Sequence, residues 1–307
     1  MTQNDTPASA EPLQQLLSRL RHWLRAITPR RWRRGVAVVP VVRLAGVIGF
    51  STPLRPGLTL SALARTLDKA FAQRGAKAVA LVINSPGGSP VQSHLIYLRI
   101  RALAEEHKRP VIALAEDVAA SGGYMVACAA DEIICDPSSI VGSIGVVGGS
   151  FGFARLIDKL GIERRLYTAG ERKAMLDPFL PEKPEDVERL KAVQRRIHED
   201  FIALVKERRG ARLRGPEDDL FSGEYWPGRQ AIELGLADEI GDLHSVMRRR
   251  FGDEVMTPLI APERSFFGRA RPGVGVDALD FLAGPADFAG DIISAIETRA
   301  LWARYGL

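Results

Sequence analysis

Two runs without a single polar residue, Ala78–Ile83 and Val111–Leu114, most constrain what this chain can fold into. Strands that are apolar at every position must be covered on both faces, which is the habit of parallel sheets flanked by helices. Each run leads through a glycine-bearing turn into a stretch with helical character, Val91–His107 after the first and the residues from Met125 after the second. The same alternation continues on both sides. Leu60, Leu63, Leu67, Ala70 and Phe71 recur at helical spacing and stop at Gly75. Val36–Ile48, Ile133–Cys135 and Arg164–Thr168 read as strands, and Ile140–Val147 is apolar and rich in glycine. Pro184–Gly210 reads as a long charged helix with Val187, Leu190, Val193, Ile197, Phe201 and Leu204 on one side. The expectation is an α/β fold with a largely parallel sheet and one catalytic domain.

The 307 residues, 46% of them hydrophobic, suffice for a large core. Three parts are expected: a polar tail and basic helix over 1–35, the α/β domain over 36–250, and a linker with a last amphipathic helix over 251–307. The net charge of +5 is unevenly placed, with seven arginines between Arg19 and Arg34. There Leu13, Leu16, Leu17, Leu20, Leu24 and Ile27 form an apolar stripe among the arginines, a pattern suited to a membrane surface or to a protein partner. Peripheral membrane contact through 12–34 is therefore expected, on the cytoplasmic side. The basicity belongs to this arm, so the domain itself is not expected to bind nucleic acid. No apolar run has the length of a membrane span, since Pro40 and Arg43 break Val36–Ile48. Cys128 and Cys135 sit in apolar contexts and no Cys/His cluster has metal-ligand spacing, so neither a disulfide, a metal nor another cofactor is expected.

The candidate chemistry starts at Ala119-Ala120-Ser121-Gly122-Gly123-Tyr124. A serine at a strand-to-helix transition has helix N-terminal N–H groups beside it, which is what a nucleophile generating an oxyanion requires. Taken alone, the hexapeptide equally fits a close-packed turn. Asn84-Ser85-Pro86-Gly87-Gly88 is a second strand-to-helix turn, whose paired glycines can bring backbone donors, Gly88 N–H first, close to a ligand. It too can be merely structural. Of the histidines at 22, 94, 107, 198 and 244, none follows Ser121 closely, and His94 offers only a remote triad. Lys173 could serve as base if burial disfavoured its charge, although its local sequence fits a solvated lysine better.

The ordered set Asn84–Gly88, Ala119–Tyr124, Val141-Gly142-Ser143-Ile144-Gly145-Val146, Gly170-Glu171-Arg172-Lys173 and Phe221-Ser222-Gly223 resembles the signal peptide peptidase A family of serine proteases, peptidase family S49. Gly228–Ala231 and Leu234–Asp238 extend the likeness, which covers about residues 36–245. The resemblance implies a crotonase/Clp-protease-like spiral of βαβ units. It implies a Ser–Lys dyad of Ser121 and Lys173, an oxyanion hole from the N–H groups of Gly88 and Gly122 beside Gly87, and Ser143 assisting near the base. It also implies peptide substrates such as signal-peptide remnants or other membrane-derived or unfolded peptides. For a member with a single copy of the domain, the resemblance implies a homo-oligomeric ring, with Lys173 acting within one chain or across to the next. Two other classes remain to be weighed: a catalytically silent membrane scaffold, and an acyl-CoA hydratase or isomerase of the same superfamily.

Overall fold

The computed structural model describes residues 36–49, 57–261 and 298–307. The expected helix over 12–34 and linker over 264–290 lie outside the described residues. Of the expected last helix, residues 298–305 lie within them; 298–303 are helical and 304–305 are turn.

Chain order is β1 (Val41–Ala45), α1 (Leu60–Ala72), β2 (Val79–Ser85), α2 (Pro90–His107), β3 (Val111–Ala120), α3 (Gly122–Ala127), β4 (Glu132–Cys135) and β5 (Ile140–Gly142). Then come α4 (Ala154–Lys159), α5 (Pro184–Arg209), α6 (Glu217–Leu220), β6 (Tyr225–Pro227), α7 (Gly228–Glu233), β7 (Glu239–Ile240) and α8 (Leu243–Phe251). Among the described residues one sheet runs β1-β2-β3-β4-β7, parallel throughout. The short β5 pairs in parallel with the far end of β3, and β6 joins β5 antiparallel. The α/β expectation holds, with βαβ units repeated along the sheet.

The apolar runs explain why. Val79, Leu81, Ile83, Val111, Ala113 and Ala115 point to one face, where α1, α2 and α3 cover them. Ala78, Ala80, Val82, Ile112 and Leu114 point to the other, against Val246 and Met247 of α8. Burying each larger side chain contributes about 1.5–3 kcal/mol. Local signals set the helix starts: the side chain of Thr59 accepts from Ala62 N–H at α1, and that of Ser89 from Gln92 N–H at α2, with Pro90 in the first turn. Beyond α8, residues 256–260 run beside β1, where Val39 N–H donates to Met256 O and Ile260 N–H to Val41 O, at 2.8 Å each.

β3 is longer than its apolar run, and it carries the fold into the site. Residues 112–115 pair with β4, while Val118–Ala120 pair with β5. Between these halves β3 bulges against β2, from Ile83↔Ala115 to Ser85↔Ala119. The side chain of Asn84 fills the bulge, with its Nδ2 2.6 Å from Asp117 Oδ2 and its Oδ1 accepting from Val118 N–H at 3.3 Å. Ser139 Oγ donates to Glu116 O at 2.6 Å from the other side. The bulge thus turns the end of β3 away from β4 and delivers Ser121 at its tip.

One expected strand is absent. Residues 164–168 form no ladder and are exposed, because among the described residues no strand lies beside them to accept their hydrogen bonds. They belong to an arm over 147–183 that packs on itself: Phe153 meets Phe179, whose ring also lies under Arg164, and Arg164 pairs with Asp177 at 3.0 Å.

Candidate active site

Ser121 is a non-glycine residue at φ 52°, ψ −124°. This region costs an L-residue of order 1–3 kcal/mol and persists only where the surroundings impose it. Four contacts impose it here. Ser121 N–H donates to Gly142 O at 2.8 Å, and Ser121 O accepts from Met125 N–H at 3.0 Å. Gly87 lies so close that a Cβ on it would stand 2.8 Å from both Gly122 N and Ser121 Cβ. Tyr124, fully buried one turn below, donates its hydroxyl to Leu236 O at 2.9 Å. Burial pushes the Tyr124 phenol well above its ordinary pKa, so it stays a neutral donor.

The two glycine turns meet edge to edge. Gly88 has φ 140°, and a Cβ on it would collide with Ile48 O. A Cβ on Gly122 would strike Ser93 Oγ, and one on Gly123 would lie 2.5 Å from Ser85 O. Only glycines allow this approach. Ile48 N–H donates to Gly87 O and Ser89 N–H to Ile48 O, each at 2.8 Å, which fixes the turn on its outer side. The N–H groups of Gly88 and Gly122 have no acceptor among the described residues, and neither has Ser121 Oγ. A half-buried hydroxyl beside two free backbone donors can attack a carbonyl and stabilise the resulting oxyanion.

Ser143 follows the residue that accepts from Ser121. It too has a positive φ, 53°, and it is 6% exposed. Its N–H donates to Glu224 O at 2.7 Å, and Tyr305 donates its hydroxyl to Ser143 Oγ at 3.2 Å. Gly142 is pressed under Trp226, and Gly145 against Gly223. The Gly142–Gly145 and Phe221–Gly223 stretches therefore form one packed unit. His198 Nε2 donates to Ile144 O at 2.9 Å and braces that unit. His94 is exposed on α2, stacked on Tyr97.

Lys173 is placed differently. It lies exposed in the 170–176 turn of the arm, and no hydrogen bond or ion pair joins it to Ser121 or Ser143 among the described residues. So Ser121, Gly87, Gly88, Gly122 and Ser143 come together within one subunit, and Lys173 does not join them. Sequence reasoning missed the bulge-filling Asn84, the brace from His198 and the cap from Tyr305. Asn84 alone had a local signal, its place just before the glycine turn. Among the described residues, no group of His, Cys, Asp or Glu could hold a metal ion.

The sequence profile of peptidase family S49 matches residues 104–251. The chain is 55% identical over 289 residues to a Brucella abortus protein named Na(+)/H(+) antiporter NhaA, covering 92% of this chain and 39% of that protein. It is 31% identical over 226 residues to the Arabidopsis thaliana protein named Serine protease SPPA, chloroplastic, covering 70% of this chain and 32% of that one. The chain thus spans about a third to two fifths of these relatives, and each name is that of a longer protein. Among the described residues no helix is long and apolar enough to cross a membrane.

Proposed function

We propose, on the premise of the S49 profile match over residues 104–251, that this chain is a serine endopeptidase of the signal peptide peptidase A type, with Ser121 as nucleophile and Lys173 as general base. The observation that carries the reading is the strained Ser121 beside the two unpartnered N–H groups of Gly88 and Gly122. Lys173 Nζ takes the hydroxyl proton while Ser121 Oγ bonds to the peptide carbonyl carbon. The N–H groups of Gly88 and Gly122 hold the oxyanion. Collapse of the tetrahedral adduct breaks the C–N bond, and the leaving amine takes the proton back from Lys173. Water, deprotonated by Lys173, then releases the acyl group and regenerates Ser121.

An ammonium in water cannot accept a proton, so the base has to be desolvated. The arm that carries Lys173 supports assembly as the means. Its side chains at Phe151, Leu160 and Tyr167 are 73%, 63% and 90% exposed, and α4 within it has no buried residue. Apolar surface on this scale marks an interface. A second copy packed on the arm brings Lys173 of one subunit to Ser121 of the next, and a ring closes if the contact repeats by rotation. Membrane-derived or unfolded peptides are the substrates proposed for this site. Peripheral membrane contact through 12–34 would keep the enzyme near such peptides.

Mixing tests the shared site. Ser121→Ala and Lys173→Ala proteins are each inactive. Co-refolded in equal amounts, they regain about a quarter of wild-type activity, because one interface in four pairs an intact serine with an intact lysine. Complete inactivity of the mixture would show that both residues act within one chain.

A further inference from the structure

The C-terminal segment lies on the site itself. Residues 298–303 are helical, and Tyr305 and Trp302 pack on Val118, Ala120 and Ile140, the strand ends that deliver Ser121 and Ser143. Tyr305 is 7% exposed. Its ring meets Tyr225 edge-on at 5.1 Å, and Tyr225 in turn donates its hydroxyl to Arg304 O at 3.2 Å. The phenol of Tyr305 donates to the buried Ser143 Oγ at 3.2 Å. Ordering these side chains costs conformational entropy, which the ring contact and the two hydrogen bonds offset.

Ser143 has one hydroxyl and two claimants. Under the dyad reading the base approaches beside it, yet the structure fills that place with Tyr305 and leaves Lys173 exposed in the arm. We propose that residues 298–307 are a built-in inhibitor: Tyr305 caps Ser143 and keeps the base from the site, and catalysis requires the segment to leave. The proposal rests on the dyad reading. A segment that binds the closed state alone lowers activity in proportion to that state's population, so weakening it raises the rate.

Steady-state cleavage of an unstructured apolar peptide tests this. Tyr305→Phe keeps the ring and loses the hydroxyl, and kcat/KM rises about fivefold, the ratio carried by one hydrogen bond. A chain ending after residue 297 gains more than about tenfold. A synthetic peptide of residues 298–307 then inhibits the shortened protein competitively, and the same peptide with Tyr305→Ala does not. Unchanged or lower rates in both variants would overturn the proposal, as would failure of the peptide to inhibit. Adding Ser121→Ala to the shortened protein separates the two claims. Activity that survives it sinks the dyad reading, whereas activity that vanishes with it but never rose on shortening sinks the inhibitor alone. Should the shortened chain fail to fold, Tyr305→Phe decides by itself.

Discussion

Ser121→Ala yields a folded protein that cleaves peptides at least about a thousandfold more slowly than the wild type. Both halves of this result follow from the local structure. The backbone at φ 52° is held by Gly142 O, Met125 N–H and the neighbouring Gly87, none of which involves the hydroxyl. Ser121 Oγ has no hydrogen-bond partner among the described residues, so its removal leaves no buried group unsatisfied. The melting temperature therefore shifts by no more than a degree or two. Under the proposed mechanism the chemistry loses the atom that forms the acyl bond, and only the oxyanion donors and substrate binding remain to help water. A fluorogenic peptide assay beside a thermal melt reads both. Activity kept within tenfold would remove Ser121 from the mechanism.

Arg209→Ala destabilises the fold by about 3–5 kcal/mol, the range for stripping one partner from a buried ion pair. The Arg209 side chain is 2% exposed and forks onto Asp238 at 2.7 and 2.9 Å, with Nε donating to Gly235 O at 2.9 Å. Asp238 also accepts from Ile133 N–H at 2.7 Å, so the pair ties the end of α5 to β4 and to the turn that receives Tyr124. Burial alone would raise the pKa of Asp238. The Arg209 hydrogen bonds and the Ile133 N–H outweigh it and hold the carboxyl below its ordinary range. A lowered carboxyl contributes its stability above the unfolded pKa, about 3.9, and loses it as pH falls through the folded value. Wild-type stability measured in urea thus declines below about pH 4, and Arg209→Ala flattens that decline. Equal stability of the two proteins at pH 7 would contradict this assignment.

The α/β architecture is legible because apolar runs such as Ala78–Ile83 leave no polar face for water. The tip of β3 is less so. Glu116 and Asp117 interrupt the apolar pattern and read as loop, yet the strand continues through them because Asn84, on the neighbouring strand, satisfies the bulge. Composition misleads at Arg164–Thr168, where Leu166, Tyr167 and Thr168 suggest a strand but no partner strand lies alongside among the described residues. The glycine turns at Gly87 and Gly122 are visible as turns, but spacing along the chain cannot express how closely one backbone approaches the other. Tyr305 reaches Ser143 across 162 residues, a separation at which no periodicity carries information. Lys173 shows the sharpest division. Its motif stands out in the chain, but within this chain it lies exposed in the arm, apart from Ser121.

A serine-reactive fluorophosphonate, followed by mass spectrometry of the digested protein, tests the nucleophile most directly. The proposed dyad predicts one adduct, on the peptide containing Ser121, formed at a rate that falls at least about a hundredfold in Lys173→Ala because the hydroxyl then lacks its base. An adduct on any other residue of a peptide-cleaving preparation, with Ser121 unmodified, would contradict it.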